Sequence, residues 1–185
     1  MKRIIFLLIG ILALSVACQD EFVEPENSLK SAKYEKTKTF LVKGWAEVID
    51  DPNAPLFTCT PEDFGIQLCS SGWVRGHENI LGKFIQEQST YEKQSCDVTM
   101  INDEPVVHNI VKVDVLRVNG DWTYATNHTF INLATGEIWG FSDYTGGTGR
   151  FEGITGTTYM RNASMDPETG NLSFDEEGEI TLVLK

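Results

Sequence analysis

The chain has 185 residues, of which 41% are hydrophobic, and a formal net charge of −12. An excess of acid this large argues against nucleic acid as a partner, because like charges repel. It argues equally against electrostatic attraction to anionic lipid headgroups, so membrane attachment would need another basis.

The first segment has the layout of a secretory signal peptide. Lys2 and Arg3 precede an uncharged run over residues 4–17. Fourteen residues are too few to cross a bilayer, which needs about 20, so we predict that residues 1–17 are a cleaved signal. Removing those two positive charges and no negative ones takes the net charge from −12 to −14.

The segment ends in "SVAC", residues 15–18. Small residues before a cysteine resemble the box at which a bacterial peptidase cuts before the cysteine and the thiol is acylated, although Ser15 stands where Leu is usual. The resemblance implies a lipoprotein of the cell envelope, anchored in the outer membrane by palmitate-type chains on Cys18, and two or three chains hold a protein firmly. The following "QDE" resembles acidic signals for export to the cell surface. An ordinary secreted protein is the alternative.

Residues 18–37 are polar and lack the spacing of a buried face, which predicts a flexible tether. The remaining residues, 38–185, are predicted to form one domain.

Three cysteines lie in this domain, at positions 59, 69 and 96. An oxidising compartment favours a disulfide. We predict that Cys59 pairs with Cys69, because this closes a short loop, with Cys69 and Cys96 as the alternative. No Cys-x-x-Cys or finger-type histidine spacing is present, so no zinc site is expected.

The sequence pattern of the domain predicts β-strands along its whole length. In residues 106–118 apolar and polar residues alternate, and one face carries Val107, Asn109, Val111, Val113, Val115 and Arg117. Period two with β-branched residues predicts strands. Seven to nine are expected, near residues 39–49, 64–74, 81–91, 96–101, 106–118, 121–132, 137–144, 150–161 and 171–184. Asn119-Gly120 predicts a two-residue hairpin turn with positive φ at both positions.

Five glycines fall within residues 143–156, "DYTGGTGRFEGITG". A phosphate loop needs GxxxxGK or GxGxxG leading into a helix, and neither spacing is present. The glycines are therefore predicted to be structural. Gly146 and Gly147 would form a tight turn, while Gly153 and Gly156 would mark bulges or a bend in a curved sheet.

Three segments in this order resemble allene oxide cyclase-like and dirigent-like β-barrels: "RGHENILGKF" at 75–84, "VNGDW" at 118–122 and "GGTGRFEGITG" at 146–156. His77 sits early relative to the usual His-Leu-Gly, and residues 50–71 look like an insertion. The resemblance implies an all-β fold, a closed antiparallel β-barrel of about eight strands, with room for packed side chains or one small ligand. Such barrels often assemble as dimers or trimers.

Plant allene oxide cyclases are isomerases, but no catalytic residue of theirs maps onto this chain, and none is predicted. His77 and Glu78 are adjacent, so on a strand they point to opposite faces. Three scattered histidines give no metal pattern, and the acidic segments 166–171 and 175–179 depart from a calcium loop. No metal or cofactor is expected.

Four tryptophans lie on separate strands or turns. They are expected to plug the core or close a rim, and those that line an open mouth would hold a ligand. The candidate pocket or rim residues are Trp45, Trp73, His77, Trp122 and Trp139.

Three functions from different classes remain open. The first is a non-catalytic, envelope-anchored barrel that binds a small apolar ligand or a protein partner. The second is a cyclase or isomerase acting on an apolar substrate inside the barrel. The third is a carbohydrate-binding module, which would present coplanar aromatic rings on an outer face.

Overall fold

The computed structural model describes residues 36–184. The predicted signal peptide, Cys18 and nearly all of the predicted tether lie outside the described residues. The first strand begins at Lys36, two residues before the predicted domain boundary. Within the described part of the chain no helix is long and apolar enough to span a membrane.

Eleven strands and three single-turn 3-10 helices make up the domain. The strands are β1 (Lys36–Asp50), β2 (Leu56–Thr58), β3 (Gln67–Cys69), β4 (Ser71–Glu78), β5 (Gly82–Lys83), β6 (Thr90–Ile101), β7 (Glu104–Leu116), β8 (Trp122–Asn132), β9 (Ile138–Gly147), β10 (Thr155–Met165) and β11 (Leu172–Leu184). The 3-10 turns are Glu62–Phe64, Gln86–Gln88 and Gly149–Phe151.

Eight of these strands close into a ring. The antiparallel order β1-β11-β10-β9-β8-β7-β6-β4 is completed by pairing of β1 with β4, from Gly44 opposite Glu78 to Asp50 opposite Gly72. The 15-residue β1 is long enough to pair with β11 along most of its length and with β4 over its second half. The predicted all-β fold, a closed antiparallel barrel of about eight strands, is confirmed.

Alternation puts one face of each strand inside the ring. In β4 every second residue from Gly72 to Glu78 is buried. A cluster of buried apolar side chains plugs one end of the barrel. It comprises Val42, Leu81, Ala125, Tyr144, Phe151, Ile154 and Ile180.

Two strand predictions were misplaced. The segment predicted as a strand near 64–74 holds only the short β3 and the first part of β4, which runs on to Glu78. The segment near 81–91 holds the two-residue β5, the 3-10 turn Gln86–Gln88 and the start of β6, and β6 also contains the strand predicted near 96–101. Glycine hid β4 from the sequence pattern, because Gly76 has no side chain to show alternation. A Cβ at Gly76 would lie 2.4 Å from the carbonyl oxygen of Trp45 in β1, so only glycine allows this approach.

The glycine-rich segment is architectural, as predicted, but its parts differ. Gly146 and Gly147 end β9 and do not form a tight turn. The register of β9 against β8 shifts between Tyr124 and Ala125, which marks a bulge there. The chain turns only at Gly149–Phe151, and Gly156 then lies so close to β11 that a Cβ would sit 2.2 Å from the carbonyl oxygen of Glu179.

The hairpin at Asn119-Gly120 is in the predicted place with a different turn. The amide of Gly120 donates to the carbonyl of Arg117 and the amide of Arg117 to that of Asp121, which leaves a three-residue loop. Only Gly120 has positive φ, at 87°. The two-residue turn with positive φ at both positions occurs instead at Asn102 and Asp103, between β6 and β7.

The disulfide prediction was wrong. Cys59 bonds to Cys96, with Cα atoms 4.6 Å apart, and Cys69 is free. In the β2–β3 hairpin the amide of Cys59 donates to Ile66, whereas Cys69 pairs with Leu56. Cys69 therefore lies opposite Leu56, three residues along the strand from Cys59. Three residues of a strand span about 10 Å, so the Cα atoms of Cys59 and Cys69 are too far apart for a disulfide. The alternative pair, Cys69 and Cys96, is excluded by the same bond.

Candidate binding cavity inside the barrel

The barrel encloses a cavity of about 120 Å³. Its walls are mainly apolar and come from all eight strands of the ring and from β3. They include Ala46, Val48, Val74, Val111, Val113, Val115, Leu172 and Phe174. The plug of buried side chains closes one end, and at the other end the lining reaches Met165 and Gly170, which are exposed. The cavity therefore opens to solvent at the end opposite the plug.

A buried polar cluster forms the floor of the cavity, next to the plug. Nη1 of Arg117 donates to Oε2 of Glu78 at 2.5 Å, and the side chains of both residues are only 1% exposed. The hydroxyl of Tyr144 donates to the other oxygen of Glu78 at 2.7 Å. Burying an ion pair is costly unless the remaining donors and acceptors are satisfied, and here both oxygens of Glu78 are.

Arg117 is held on three further sides. Its Nε and Nη2 donate to the hydroxyl oxygen of Thr123 at 3.1 and 2.8 Å, and Nη1 also donates to the carbonyl of Gly82. Its guanidinium carbon lies 4.4 Å from the ring centroid of Phe84. These contacts fix the guanidinium, so the floor of the cavity is rigid and polar.

Glu176 adds a second carboxyl group to the floor. Burial raises its pKa well above the usual range, and the charge of Glu78 and a hydrogen bond to Glu78 raise it further. The hydroxyl of Thr158 donates to Glu176 at 3.2 Å. Since two adjacent buried carboxyl groups do not both ionise, Glu176 favours its protonated, uncharged form. Burial and Glu78 also raise the pKa of Tyr144.

A lysine lines the cavity nearer its mouth. Lys93 on β6 is only 7% exposed, and its Nζ donates to Oδ1 of Asn109 at 2.7 Å. Among the described residues no carboxylate lies within ion-pair distance of this amine. Burial lowers the pKa of Lys93 to about 8, although Asp50 and Cys69 oppose the shift.

The five residues proposed for a pocket or rim do not line the cavity. Trp45 is 47% exposed on the outside of β1, and His77 lies opposite it on β4. Trp73, Trp122 and Trp139 are half-buried and are likewise absent from the lining. The structure thus places none of these five side chains in the wall of this cavity, and their role at a rim stays a prediction. His77 and Glu78 do point to opposite faces, but it is Glu78 that enters the site.

Rings on the outside of β7, β8 and β9 form a stacked ladder. In order of contact they are Trp139, Phe130, His108, His128 and Phe141, so that the stack runs from β9 over β8 to β7 and returns over β8 to β9. Neighbouring centroids lie 4.3–5.6 Å apart, with planes within 23° of parallel. Nε2 of His108 lies 3.1 Å from Nδ1 of His128. Stacked rings cover one another's faces, so this surface does not present the flat aromatic platform expected of a carbohydrate-binding module.

Sequence reasoning missed the floor cluster, although one signal pointed to it. Arg117 shares the predicted strand face with four valines, and a charged residue on such a face needs a buried partner. Its partner Glu78 was considered only beside His77, its neighbour on the opposite face of the strand. No comparable signal marks Lys93. No group of three or more His, Cys, Asp or Glu side chains in residues 36–184 is placed to hold a metal ion.

Comparison with solved structures finds similarity to two dirigent proteins. The pterocarpan synthase dirigent protein GePTS1 is 11% identical, with a TM-score of 0.44 over 82% of this chain and 94% of that one. The pterocarpan synthase dirigent protein PsPTS1 is 13% identical, with a TM-score of 0.37 over 82% of this chain and 97% of that one. No family model and no curated protein matches the sequence.

Proposed function

We propose that this protein is a non-catalytic binding protein whose barrel holds one small, mainly apolar molecule with a polar group at one end. The observation that carries this proposal is the cavity of about 120 Å³ with valine-rich walls and a buried polar floor. An apolar cavity of about 150 Å³ in a protein core binds benzene. A ligand of about that size fits this site.

The floor sets the orientation of the ligand. Arg117, Glu78 and Tyr144 are engaged with one another, whereas the proton that the raised pKa favours on Glu176 can be redirected toward a ligand oxygen. A hydroxyl or carbonyl group at the floor would therefore gain a hydrogen bond, while the rest of the ligand contacts the valines. A ligand charged at the floor end would be excluded, because the cluster is already balanced.

The place of action is also a proposal. The sequence of residues 1–18 favours a bacterial lipoprotein held in the outer membrane through Cys18, with the domain tethered to it. A Cys18→Ala variant should appear in the soluble fraction, and a variant that remains membrane-bound would contradict the anchor.

Native mass spectrometry of the full chain, purified in mild detergent from the cells that make it, tests the binding proposal. Wild-type protein should carry a small molecule of discrete mass. Val111→Phe should lose it, because Val111 points into the cavity. Ile110→Phe is the matched control, because Ile110 is the next residue on the same strand and is absent from the cavity lining. A wild type without ligand, or ligand retained by Val111→Phe, would refute the proposal.

An isomerase or cyclase acting in the same cavity is the second candidate. One observation favours it: burial and the adjacent Glu78 raise the pKa of Glu176 well above its usual range, as expected of a buried proton donor. The same preparation distinguishes the two. A binding protein should release one compound unchanged, whereas an enzyme should convert the released compound into an isomer that Glu176→Gln does not form.

A further inference from the structure

We infer that Lys93 is a covalent capture site, at which its side-chain amine forms a reversible imine with a small apolar aldehyde or ketone inside the barrel. This rests on the proposed function, since it names the chemical class of the ligand that the cavity holds. It differs from the floor cluster, which provides hydrogen bonds and proton exchange and has no nucleophile of this kind.

The position of Lys93 carries the first part of the inference. Its side chain lines the cavity together with Val111 and Val113, and it is 7% exposed. The single hydrogen bond of Nζ, to Asn109 at 2.7 Å, uses one of three N–H groups and positions the nitrogen. A buried ammonium with an amide partner and no carboxylate is poorly stabilised. Losing its proton and bonding to a carbonyl carbon removes that cost.

The surroundings of Lys93 keep the amine available for reaction. The titratable groups that face it are Asp50 on β1, Cys69 on β3 and Tyr91 on β6. The hydroxyl of Tyr91 donates to Oδ1 of Asp50, which engages one oxygen of that carboxylate. Burial outweighs the remaining attraction and brings the pKa of Lys93 to about 8. At neutral pH the uncharged fraction of this amine exceeds that of an ordinary lysine by roughly two orders of magnitude.

The step balances without an oxidant or reductant. The uncharged Nζ of Lys93 attacks the carbonyl carbon, and a C–N bond forms. Both hydrogens of the amine nitrogen pass to the carbonyl oxygen by proton transfer, this oxygen leaves as water, and a C=N bond replaces the C=O bond. Addition of water reverses the step and releases the ligand unchanged. The protein would thus hold carbonyl compounds strongly and still release them.

Reductive trapping tests the inference. Full-length protein in mild detergent is incubated near pH 7.4 with butanal or benzaldehyde and cyanoborohydride, and the modified lysines are located by peptide mass mapping. Lys93 should be alkylated about tenfold faster than Lys112, an exposed lysine that is paired with Asp114. Addition of 1-butanol or benzyl alcohol, which have the same shapes without the carbonyl, should suppress the reaction at Lys93 alone.

Variants and calorimetry separate failure of this inference from failure of the proposed function. Lys93→Arg keeps the positive charge and cannot form the imine, so its adduct should be lost while binding of benzyl alcohol persists. The protection experiment needs no variant and decides the matter if Lys93→Arg does not fold. Alcohol bound by the wild type without alkylation of Lys93 would overturn capture and leave the binding function standing. No alcohol bound and no adduct would overturn both. Adducts spread evenly over surface lysines would also overturn capture.

Discussion

Replacing Glu176 by glutamine removes a buried carboxyl group that holds its proton more tightly in the folded state than in the unfolded state. In the folded protein the pKa of Glu176 lies well above its ordinary 4.5, chiefly because the side chain is buried and because Glu78 is adjacent. The folded state therefore keeps a proton that the unfolded state releases. Glutamine is neutral at every pH, and its amide can still accept from Thr158 and donate to Glu78.

The sign and size of the effect follow from proton linkage. Between pH 4.5 and the raised pKa, the folded state binds one proton more than the unfolded state. The free energy of unfolding of the wild type then falls by about 1.4 kcal/mol per pH unit relative to Glu176→Gln. Below the ordinary pKa the difference is constant. The variant should thus be more stable than the wild type by up to about 3 kcal/mol at pH 7.

Urea unfolding followed by tryptophan fluorescence, at intervals from pH 4 to pH 8, measures this difference. The slope of free energy against urea should be the same in both proteins, which shows that the same surface is exposed on unfolding. Glu177→Gln is the matched control, because Glu177 is the next residue on β11 and pairs with Lys43 in solvent, which lowers its pKa. Relative to the wild type, the free energy of unfolding of Glu177→Gln should fall only as the pH rises above the lowered pKa of Glu177. A wild type and Glu176→Gln with parallel pH profiles would refute the buried, protonated state of Glu176.

Three further perturbations have expected outcomes. Arg117→Met should reduce the free energy of unfolding by about 3–5 kcal/mol, because it leaves Glu78 buried without its cation. Adding Glu78→Gln should recover part of this loss in urea unfolding, and additive losses from the two substitutions would contradict the pairing. Replacing Cys59 and Cys96 together by alanine should cost about 3–4 kcal/mol, because the bond closes a loop of sequence separation 37; a melting temperature that reducing agent leaves unchanged in the wild type would argue against the bond. Gly178→Ala should cost about 1–3 kcal/mol, because its Cβ would lie 2.1 Å from the carbonyl oxygen of Thr157, and unchanged stability would show that the two strands can separate.

The sequence predicted the strands in which side chains report the alternation. Residues 106–118 were recognised because valine recurs at every second position, and β7 spans Glu104–Leu116. β4 was misplaced because Gly72 and Gly76 occupy inward positions at which an apolar residue would have revealed the pattern. These positions require glycine because the neighbouring strand lies so close. Glycine has no side chain, so the alternation of apolar and polar residues that predicts a strand is lost there.

The site was less predictable because it depends on strand register. Glu78, Arg117 and Glu176 come from three distant segments, and their meeting requires the ring to close. The disulfide was predicted from the short loop between Cys59 and Cys69, and it was wrong for the same reason. The pairing of Thr60 with Asp97 places Cys59 beside Cys96, and no local spacing of residues indicates this pairing. The tryptophans were expected to plug the core or close a rim, but valine, phenylalanine and tyrosine side chains fill the interior, and none of the four tryptophans lines the cavity.

The pairing of β1 sets an order of events during synthesis of this protein. β1 is hydrogen-bonded on one side to β4 and on the other to β11, the final strand of the ring in chain order. Until residues 172–184 have emerged, the nascent sheet has two unpaired edges, at β1 and β10, and unpaired edges of this kind recruit other chains. A polypeptide that stops before β11 should therefore be rescued by chaperones or lost to aggregation. Loss of residues 172–184 would be more harmful than the length of this segment suggests.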